Sequence, residues 1–281
     1  MPDRNALVFV AALVVIGPLL VAGPHPILPG LAAAVAAFTG LWLLSLALGR
    51  ADIVDVAWGP GFVLVGAVGL AVVPGAPTSR GLLVLALVAL WAARLALHIG
   101  TRNAGAGEDF RYRKWREEAG GSFWWVSYLR IFLLQALTLW VVSSPVVLAQ
   151  VPGPRLGLRA ADLAGLALFA AGFLWEAVAD RQLTRFKADP ANRGEVLRSG
   201  LWGLSRHPNY FGEAVLWWGI GLLALPSGGL LALAGPAVLT FALLRVSGVA
   251  MLDAALVERK PGYADYIRST PAFFPRPRRL R

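Results

Sequence analysis

Apolar residues along the chain gather into eight long runs, near positions 5–23, 29–49, 56–73, 81–100, 124–149, 160–180, 208–226 and 229–250. An apolar run of roughly 20 residues is long enough to cross a bilayer as a helix. The third run is short and rich in glycine. The last two are separated only by Pro226-Ser227-Gly228-Gly229, which reads as the turn of a tight helical hairpin. A Pro-rich turn follows the first run in place of a small-residue cleavage site, so that run reads as a span and not as a signal peptide. The pattern predicts an all-α, polytopic membrane helix bundle of seven to eight transmembrane helices.

Charge orients the bundle. With eight spans and a cytoplasmic N-terminus, the cytoplasmic segments hold Arg4, Arg50, five basic residues in 101–123, six in 181–207 and seven in 251–281. The opposite side holds Arg80, Arg155 and Arg159. This asymmetry satisfies the positive-inside rule and places both termini in the cytoplasm. It accounts for most of the net charge of +10 without nucleic-acid binding. The expected location is a membrane, crossed several times. Composition agrees: 57% of the 281 residues are hydrophobic and only 15% are charged, against about 25% charged in soluble domains. The chain has no cysteine, which excludes disulfide scaffolds and thiolate metal or redox sites. No repeat and no separate soluble domain is visible, so residues 1–281 read as one membrane domain.

Three polar stripes interrupt the apolar runs. Trp91, Arg94, His98 and Arg102 share one face of the fourth run, Glu176, Asp180 and Thr184 one face of the sixth, and Asn209, Glu213 and Trp217 one face of the seventh. Steps of three and four place side chains on one helix face. Residues near span ends commonly snorkel to the interface, which explains Arg102, Asp180 or Arg206 taken singly. Three stripes of mixed sign at one depth point instead to a polar cavity open to the cytoplasm, because charge in hydrocarbon is costly.

The third run opens Asp52-Ile53-Val54-Asp55-Val56-Ala57-Trp58-Gly59-Pro60-Gly61-Phe62. One of the two carboxylates is explained by capping, since acids favour helix N-termini. The Gly-Pro-Gly element predicts a break one turn later, and irregular backbone at membrane depth lines cavities. A carboxyl group there could serve as a proton donor.

No P-loop and no H-E-x-x-H occur, and the histidines at 25, 98 and 207 are too scattered for a metal site. Gly219-Ile220-Gly221-Leu222-Leu223-Ala224 has the form of a dinucleotide fingerprint but lies inside an apolar helix, where that motif has no meaning. The most specific stretch is Gly200-Leu201-Trp202-Gly203-Leu204-Ser205-Arg206-His207-Pro208-Asn209-Tyr210-Phe211-Gly212-Glu213. Pro208 suits the first position of a helix. The free N–H groups there, beside Arg206 and His207, suit a phosphate or pyrophosphate. Asn209 and Glu213, one turn deeper, suit an amide or a ribose. A plain basic interfacial loop explains Arg206 but not the mixed Asn/Tyr/Glu face.

The stretch 200–213 resembles the C-terminal signature of the membrane steroid 5α-reductase and sterol reductase superfamily. The bacterial branch, formerly a domain of unknown function, is the most similar. Typical of that branch are the run from Ile53 to Phe62 and the tail Ser247-Gly248…Glu258…Pro261-Gly262-Tyr263…Tyr266…Ser269-Thr270-Pro271-Ala272-Phe273-Phe274-Pro275. The resemblance covers most of the chain and is strongest from about residue 176. It implies an NADPH-dependent reductase of a conjugated carbon–carbon double bond in a steroid-like or lipid enone. It also implies a substrate side near 1–123 and a cofactor side near 160–281.

By the same resemblance Asn209 and Glu213 contact the nicotinamide end and Asp180 the adenosine end. Lys187, Arg193, Arg206 and Arg268 take the pyrophosphate and 2′-phosphate, with His207 and Tyr210 in the same cofactor-binding set. Tyr263 and Tyr266 belong to a tail that closes over NADPH. The animal steroid reductases polarise their substrate with a Gln-Glu-Leu-Pro run and a Tyr on the next helix. The matching region here reads Val-Asp-Val-Ala-Trp-Gly-Pro, and the next helix offers Arg94 and His98 but no Tyr. Arg206-His207-Pro208 is more similar to the sterol Δ14-reductases. The catalytic set expected is Asp55, helped by His98 or Arg94, acting on an apolar enone that enters from the bilayer. No obligate protein partner is expected.

Two other readings stand. The isoprenylcysteine methyltransferases and related bacterial enzymes, which use S-adenosylmethionine, share the Arg-His-Pro-x-Tyr-x-Gly element but not the run from Asp55 to Phe62. Transport would also explain polar stripes in a bundle, although paired broken helices in two halves are lacking.

Overall fold

The computed structural model describes residues 27–75, 77–152, 160–246 and 248–276. All regular structure among them is helical. Six stretches are long and apolar enough to cross a membrane: Ile27–Leu48, Ile53–Val72, Ser79–Asn103, Phe110–Val142, Ala160–Ala188 and Pro208–Arg245. The protein is therefore a multi-pass membrane protein by length and composition of its helices. The expected first span at 5–23 lies outside the described residues, as do His25, Arg155 and Arg159.

The described residues fall into two compact units, 27–152 with 223–235 and 160–222 with 236–276. The first unit contains α1 (Ile27–Leu48), α2 (Ile53–Val72), α3 (Ser79–Asn103), α4 (Phe110–Ala119), α5 (Phe123–Ser127), α6 (Leu134–Val142) and α7 (Ser144–Leu148). Thr78 caps α3 by accepting the N–H of Gly81 at 2.9 Å, and Asp109 caps α4 by accepting that of Arg111 at 3.0 Å. Such caps satisfy donors that a helix start leaves open. Gly120, at φ +52, ends α4 in a conformation that other residues resist. A π-helical turn, Tyr128–Leu133, joins α5 to α6.

The Gly-Pro-Gly element does not break α2, which is helical through Pro60. Its glycines serve close packing instead. A Cβ on Gly59 would lie 2.9 Å from the Cα of Ala92 in α3, and one on Gly61 would lie 2.5 Å from Leu139 Cδ1 in α6. Small residues at helix contacts let backbones approach in membranes, where apolar surface alone gives little drive. The expectation of irregular backbone here is thus corrected. The element is a packing surface, and around it Phe38, Phe62 and Trp91 are fully buried.

The second unit holds α8 (Ala160–Ala188), the first part of α9 (Pro208–Gly228), α10 (Ala234–Arg245), α11 (Val249–Arg259) and α12 (Tyr263–Ser269). The expected hairpin forms: the chain turns at Gly229 (φ +54), and Trp218 Nε1 donates to Thr240 Oγ1 at 3.1 Å, so α9 and α10 run side by side. Helices α8 and α9 touch backbone to backbone. A Cβ on Gly172 would meet the N of Leu216 at 2.4 Å, on Gly212 the N of Glu176 at 2.6 Å, and on Gly219 the O of Gly165 at 2.6 Å. Gly219 of the fingerprint look-alike is therefore a helix-packing residue.

Candidate functional site

In the first unit, α2 begins at the turn where Asp52 and Asp55 lie. Asp52 occupies the cap position without bonding its own helix through its side chain. Its carboxylate pairs with Arg50 at 2.9 Å and accepts the N–H of Asp109 at 3.1 Å. Asp55, one turn on, accepts from Tyr112 Oη at 2.5 Å and from Arg111 Nη2 at 2.7 Å. Tyr112 is the one buried residue of α4. Arg111 is shared with Asp109 through Nε at 2.9 Å. Burial alone would raise the Asp109 carboxyl, but the hydrogen bonds and charge of Arg111, with a contribution from Arg102, hold it below the usual carboxylate range. A phenol, a guanidinium and two carboxylates thus converge where α4 meets the start of α2.

The stripe expected on α3 runs from the core outward: Trp91 is buried, Arg94 and His98 are half-buried, and Arg102 is exposed. The groups bonded to Asp55 come from α4. Arg111 and Tyr112 were not singled out in sequence, because Phe110-Arg111-Tyr112-Arg113-Lys114-Trp115-Arg116 reads as an orientation signal. The tyrosine that bonds Asp55 lies on α4, the helix after α3.

In the second unit the glycine contacts set Glu176 and Asp180 of α8 beside the start of α9. Asn209 Nδ2 donates to Asp180 Oδ1 at 3.2 Å. Glu176, Asp180 and Glu213 are buried while Asn209 and Tyr210 are half-buried. The stripes of α8 and α9 meet at this bond. Tyr210 lies parallel to His207, with ring centres 5.5 Å apart.

Arg206 and His207 both turn to Asp253, an acid not singled out in sequence. Arg206 Nη2 lies 2.6 Å from Asp253 Oδ2, and His207 Nε2 lies 3.0 Å from Oδ1. Tyr263 donates to the same Oδ1 at 2.7 Å. The remaining terminal nitrogen of Arg206 donates to the carbonyls of Thr270 at 2.5 Å and Ile267 at 3.2 Å. Burial alone would raise the Asp253 carboxyl. Hydrogen bonds from His207, Arg206 and Tyr263 outweigh it and hold the group well below the usual carboxylate range. Burial and the neighbouring Asp253 together push the Tyr263 hydroxyl far up.

This cluster corrects the expectation for Arg206, whose donors are engaged inside the protein. Tyr263 and Tyr266 likewise fasten the tail: Tyr266 donates to the carbonyl of Trp202. The backbone completes the seam, with Arg206 N–H on Pro271 O at 2.9 Å and Arg276 N–H on Leu204 O at 3.0 Å. Lys187, in the last turn of α8, and Arg193, beyond its end, are exposed. Arg268 is exposed and pairs with Asp265. A lone acid within Val249-Ala250-Met251-Leu252-Asp253-Ala254-Ala255-Leu256-Val257 was the available signal for Asp253.

A family profile described as "Protein of unknown function (DUF1295)" matches residues 41–270, a span that contains both clusters. The chain belongs to the DUF1295 family. An uncharacterized protein of Schizosaccharomyces pombe is 30% identical to this DUF1295 chain over 232 residues, 70% of this chain and 64% of that protein. The matched region thus spans under two thirds of that relative's length. A probable O-methyltransferase of Ustilaginoidea virens is 40% identical over 67 residues, 24% of this chain and 22% of its own. No solved structure matches. Among the described residues no group of His, Cys, Asp or Glu is arranged to hold a metal ion.

Proposed function

We propose that this DUF1295 protein is a membrane-embedded, NADPH-dependent reductase of a conjugated carbon–carbon double bond in a steroid-like or lipid enone, adding hydride at the β-carbon and a proton at the α-carbon. The reading joins the resemblance to the steroid 5α-reductase and sterol reductase superfamily with one observation: the 2.5 Å hydrogen bond between Tyr112 and Asp55. The Tyr112 hydroxyl, held in place by the Asp55 carboxylate beside Arg111, is a positioned donor for a carbonyl oxygen that gains negative charge. Donors fixed before reaction stabilise such charge most effectively. Arg111 balances the carboxylate, and α4 carries both partners as one rigid piece.

The second unit offers residues that fit NADPH in kind. Asn209, Asp180 and Glu213 suit amide and ribose groups, the parallel His207–Tyr210 rings offer a flat wall, and exposed Lys187 and Arg193 suit phosphates. Arg206, His207, Tyr263 and Tyr266 then hold this surface in shape. Bound NADPH would supply the hydride, while the protein supplies position and electrostatics. In the full reading the chain has seven to eight spans, lies in a bacterial inner membrane, and has both termini in the cytoplasm if eight spans form. An apolar substrate reaches it from the bilayer.

The test is loss of NADPH absorbance by the purified protein in detergent against 3-oxo-4-ene steroids and unsaturated lipid enones. Absence of turnover with every enone, together with absence of NADPH binding, would overturn the reading. A second reading, an S-adenosylmethionine-dependent membrane methyltransferase, is favoured by the similarity to the probable O-methyltransferase. Mass spectrometry of the co-purifying cofactor separates the two.

A further inference from the structure

Two arginine–carboxylate pairs stand beside the Asp55 cluster, and each grips the backbone of the other's loop. Arg50 binds both oxygens of Asp52, at 3.0 and 2.9 Å, and donates to the carbonyl of Ala106 at 3.0 Å. Asp52 in turn accepts the N–H of Asp109 at 3.1 Å. Arg116 binds both oxygens of Glu108, at 3.1 and 2.8 Å, and donates to the carbonyl of Gly49 at 3.1 Å. Glu108 accepts the N–H of Ala51 at 2.7 Å. Each loop therefore offers one carbonyl and one N–H to the charged pair of the other.

This clasp exceeds what the helix ends require. Asp109 already caps α4, and Gly120 already closes it. Exposed ion pairs contribute little; here the carboxylates are shielded, with Asp52 1% exposed and the Glu108 side chain 11%, while the Arg50 and Arg116 side chains are 32% and 36% exposed. Two-point guanidinium–carboxylate contacts also fix orientation as well as distance. Asp55 follows Asp52, the cap of α2, by one turn, and Tyr112 lies in the first turn of α4, four residues after Glu108. Both partners of the short hydrogen bond thus hang from the clasp by a single turn of helix.

The geometry points to Arg50, Asp52, Glu108 and Arg116 as positioning residues that hold the Tyr112 hydroxyl on Asp55 and so set the strength of that donor pair. The consequence for turnover rests on the reductase reading, whereas the coupling itself does not. Breaking the clasp lets α4 shift against α2, lengthening the Tyr112–Asp55 bond without touching either residue.

The experiment uses the full chain in lipid nanodiscs, labelled with 3-fluorotyrosine and read by fluorine NMR. The chain has five tyrosines, and Tyr112→Phe assigns the relevant resonance. Glu108→Gln and Asp52→Asn are expected to move the Tyr112 resonance towards its position in Asp55→Asn. The other four tyrosines, as an internal check of folding, are expected to stay in place. Lys114→Ala, on the same helix with a side chain 70% exposed, is expected to leave Tyr112 unchanged. Where Glu108→Gln does not fold, Arg116→Lys keeps the charge and loses the two-point contact, and the same shift is expected.

In turnover, clasp variants are expected to lose about 10- to 100-fold in kcat with KM for NADPH unchanged, the size expected of a misplaced donor. An unmoved Tyr112 resonance in folded clasp variants overturns the proposal. A moved resonance in a protein without NADPH turnover keeps the coupling and overturns the reductase reading instead.

Discussion

The Tyr112 hydroxyl rests on Asp55 at 2.5 Å, although 57 residues separate the two in the chain. The bond is made because α4 enters the first unit with one buried side chain, and that side chain is Tyr112. If the pair stabilises a developing oxyanion, Tyr112→Phe removes the donor and leaves the ring packing in place. Turnover of an enone is then expected to fall by about 10²- to 10³-fold in kcat, as for other lost oxyanion donors. Binding of NADPH is expected to persist. Steady-state kinetics on the variant decide it, and full activity would reduce the pair to a structural bond. Asp55→Asn is expected to fall at least as far, since it disturbs Arg111 as well.

The membrane spans were legible because apolar runs of sufficient length admit few other readings. The polar stripes of α8 and α9 were legible for a related reason, since Asp180 and Asn209 each recur with their neighbours at helical spacing, but the bond between them was not. Tyr112 was not legible, since its partner lies in another element and the surrounding basic residues already had an explanation as an orientation signal. The internal partners of Arg206 were hidden on the same ground. A cation in a signature loop suggests an anionic ligand, and only the fold reveals that Asp253, 47 residues later, neutralises it. The Gly-Pro-Gly element shows a third limit. Glycine and proline signal a break in local sequence, yet close contact with Ala92 and Leu139 uses the glycines while the helix continues.

Asp253 collects bonds from Arg206, His207 and Tyr263, so its loss leaves the Arg206 guanidinium buried without a counter-charge. Asp253→Asn is expected to lower stability by about 3–5 kcal/mol, the usual cost of breaking a buried pair from one side. The pH dependence follows from the depressed carboxyl. A group whose folded pKa lies below its unfolded value of about 3.9 contributes fully above that value and loses the contribution as pH falls beneath it. Thermal unfolding in detergent is therefore expected to weaken in wild type below about pH 4. The Asn variant, already weakened at neutral pH, is expected to lack that component. A variant as stable as wild type at pH 7 would remove Asp253 from its place at the centre of the seam.

Gly172 and Gly212 carry the backbone contact that brings the stripes of α8 and α9 together. Gly172→Ala would place a methyl group 2.4 Å from the N of Leu216, which is backbone and cannot yield without moving the helix. A cost of about 1–3 kcal/mol is expected from such overpacking. Weakened NADPH binding is expected with it, because Asp180 and Asn209 separate. Gly107→Ala, which meets nothing within 4 Å, is the control. Equal melting temperatures for the two variants would show that the helices part more easily than their contacts imply.

Lys187 and Arg193 differ from Arg206 in one physical respect: their side chains are exposed, whereas that of Arg206 is buried. A ligand phosphate in the aqueous phase can reach the first two directly, because their side chains lie at the surface. Lys187→Ala with Arg193→Ala is therefore expected to raise KM for NADPH by about tenfold, the size of one lost charged hydrogen bond, with kcat unchanged. The effect is expected to shrink with added salt, because exposed charges are screened. Arg206→Lys keeps the charge but loses the two-point grip on Asp253 and the tail carbonyls. It is expected to lower the melting temperature and to act on NADPH only through that loss of structure. Titration of NADPH by fluorescence, alongside melting curves for both sets, separates ligand contacts from structural ones. If Arg206→Lys weakens NADPH at unchanged stability while the double variant does not, the phosphate contacts belong to Arg206 after all.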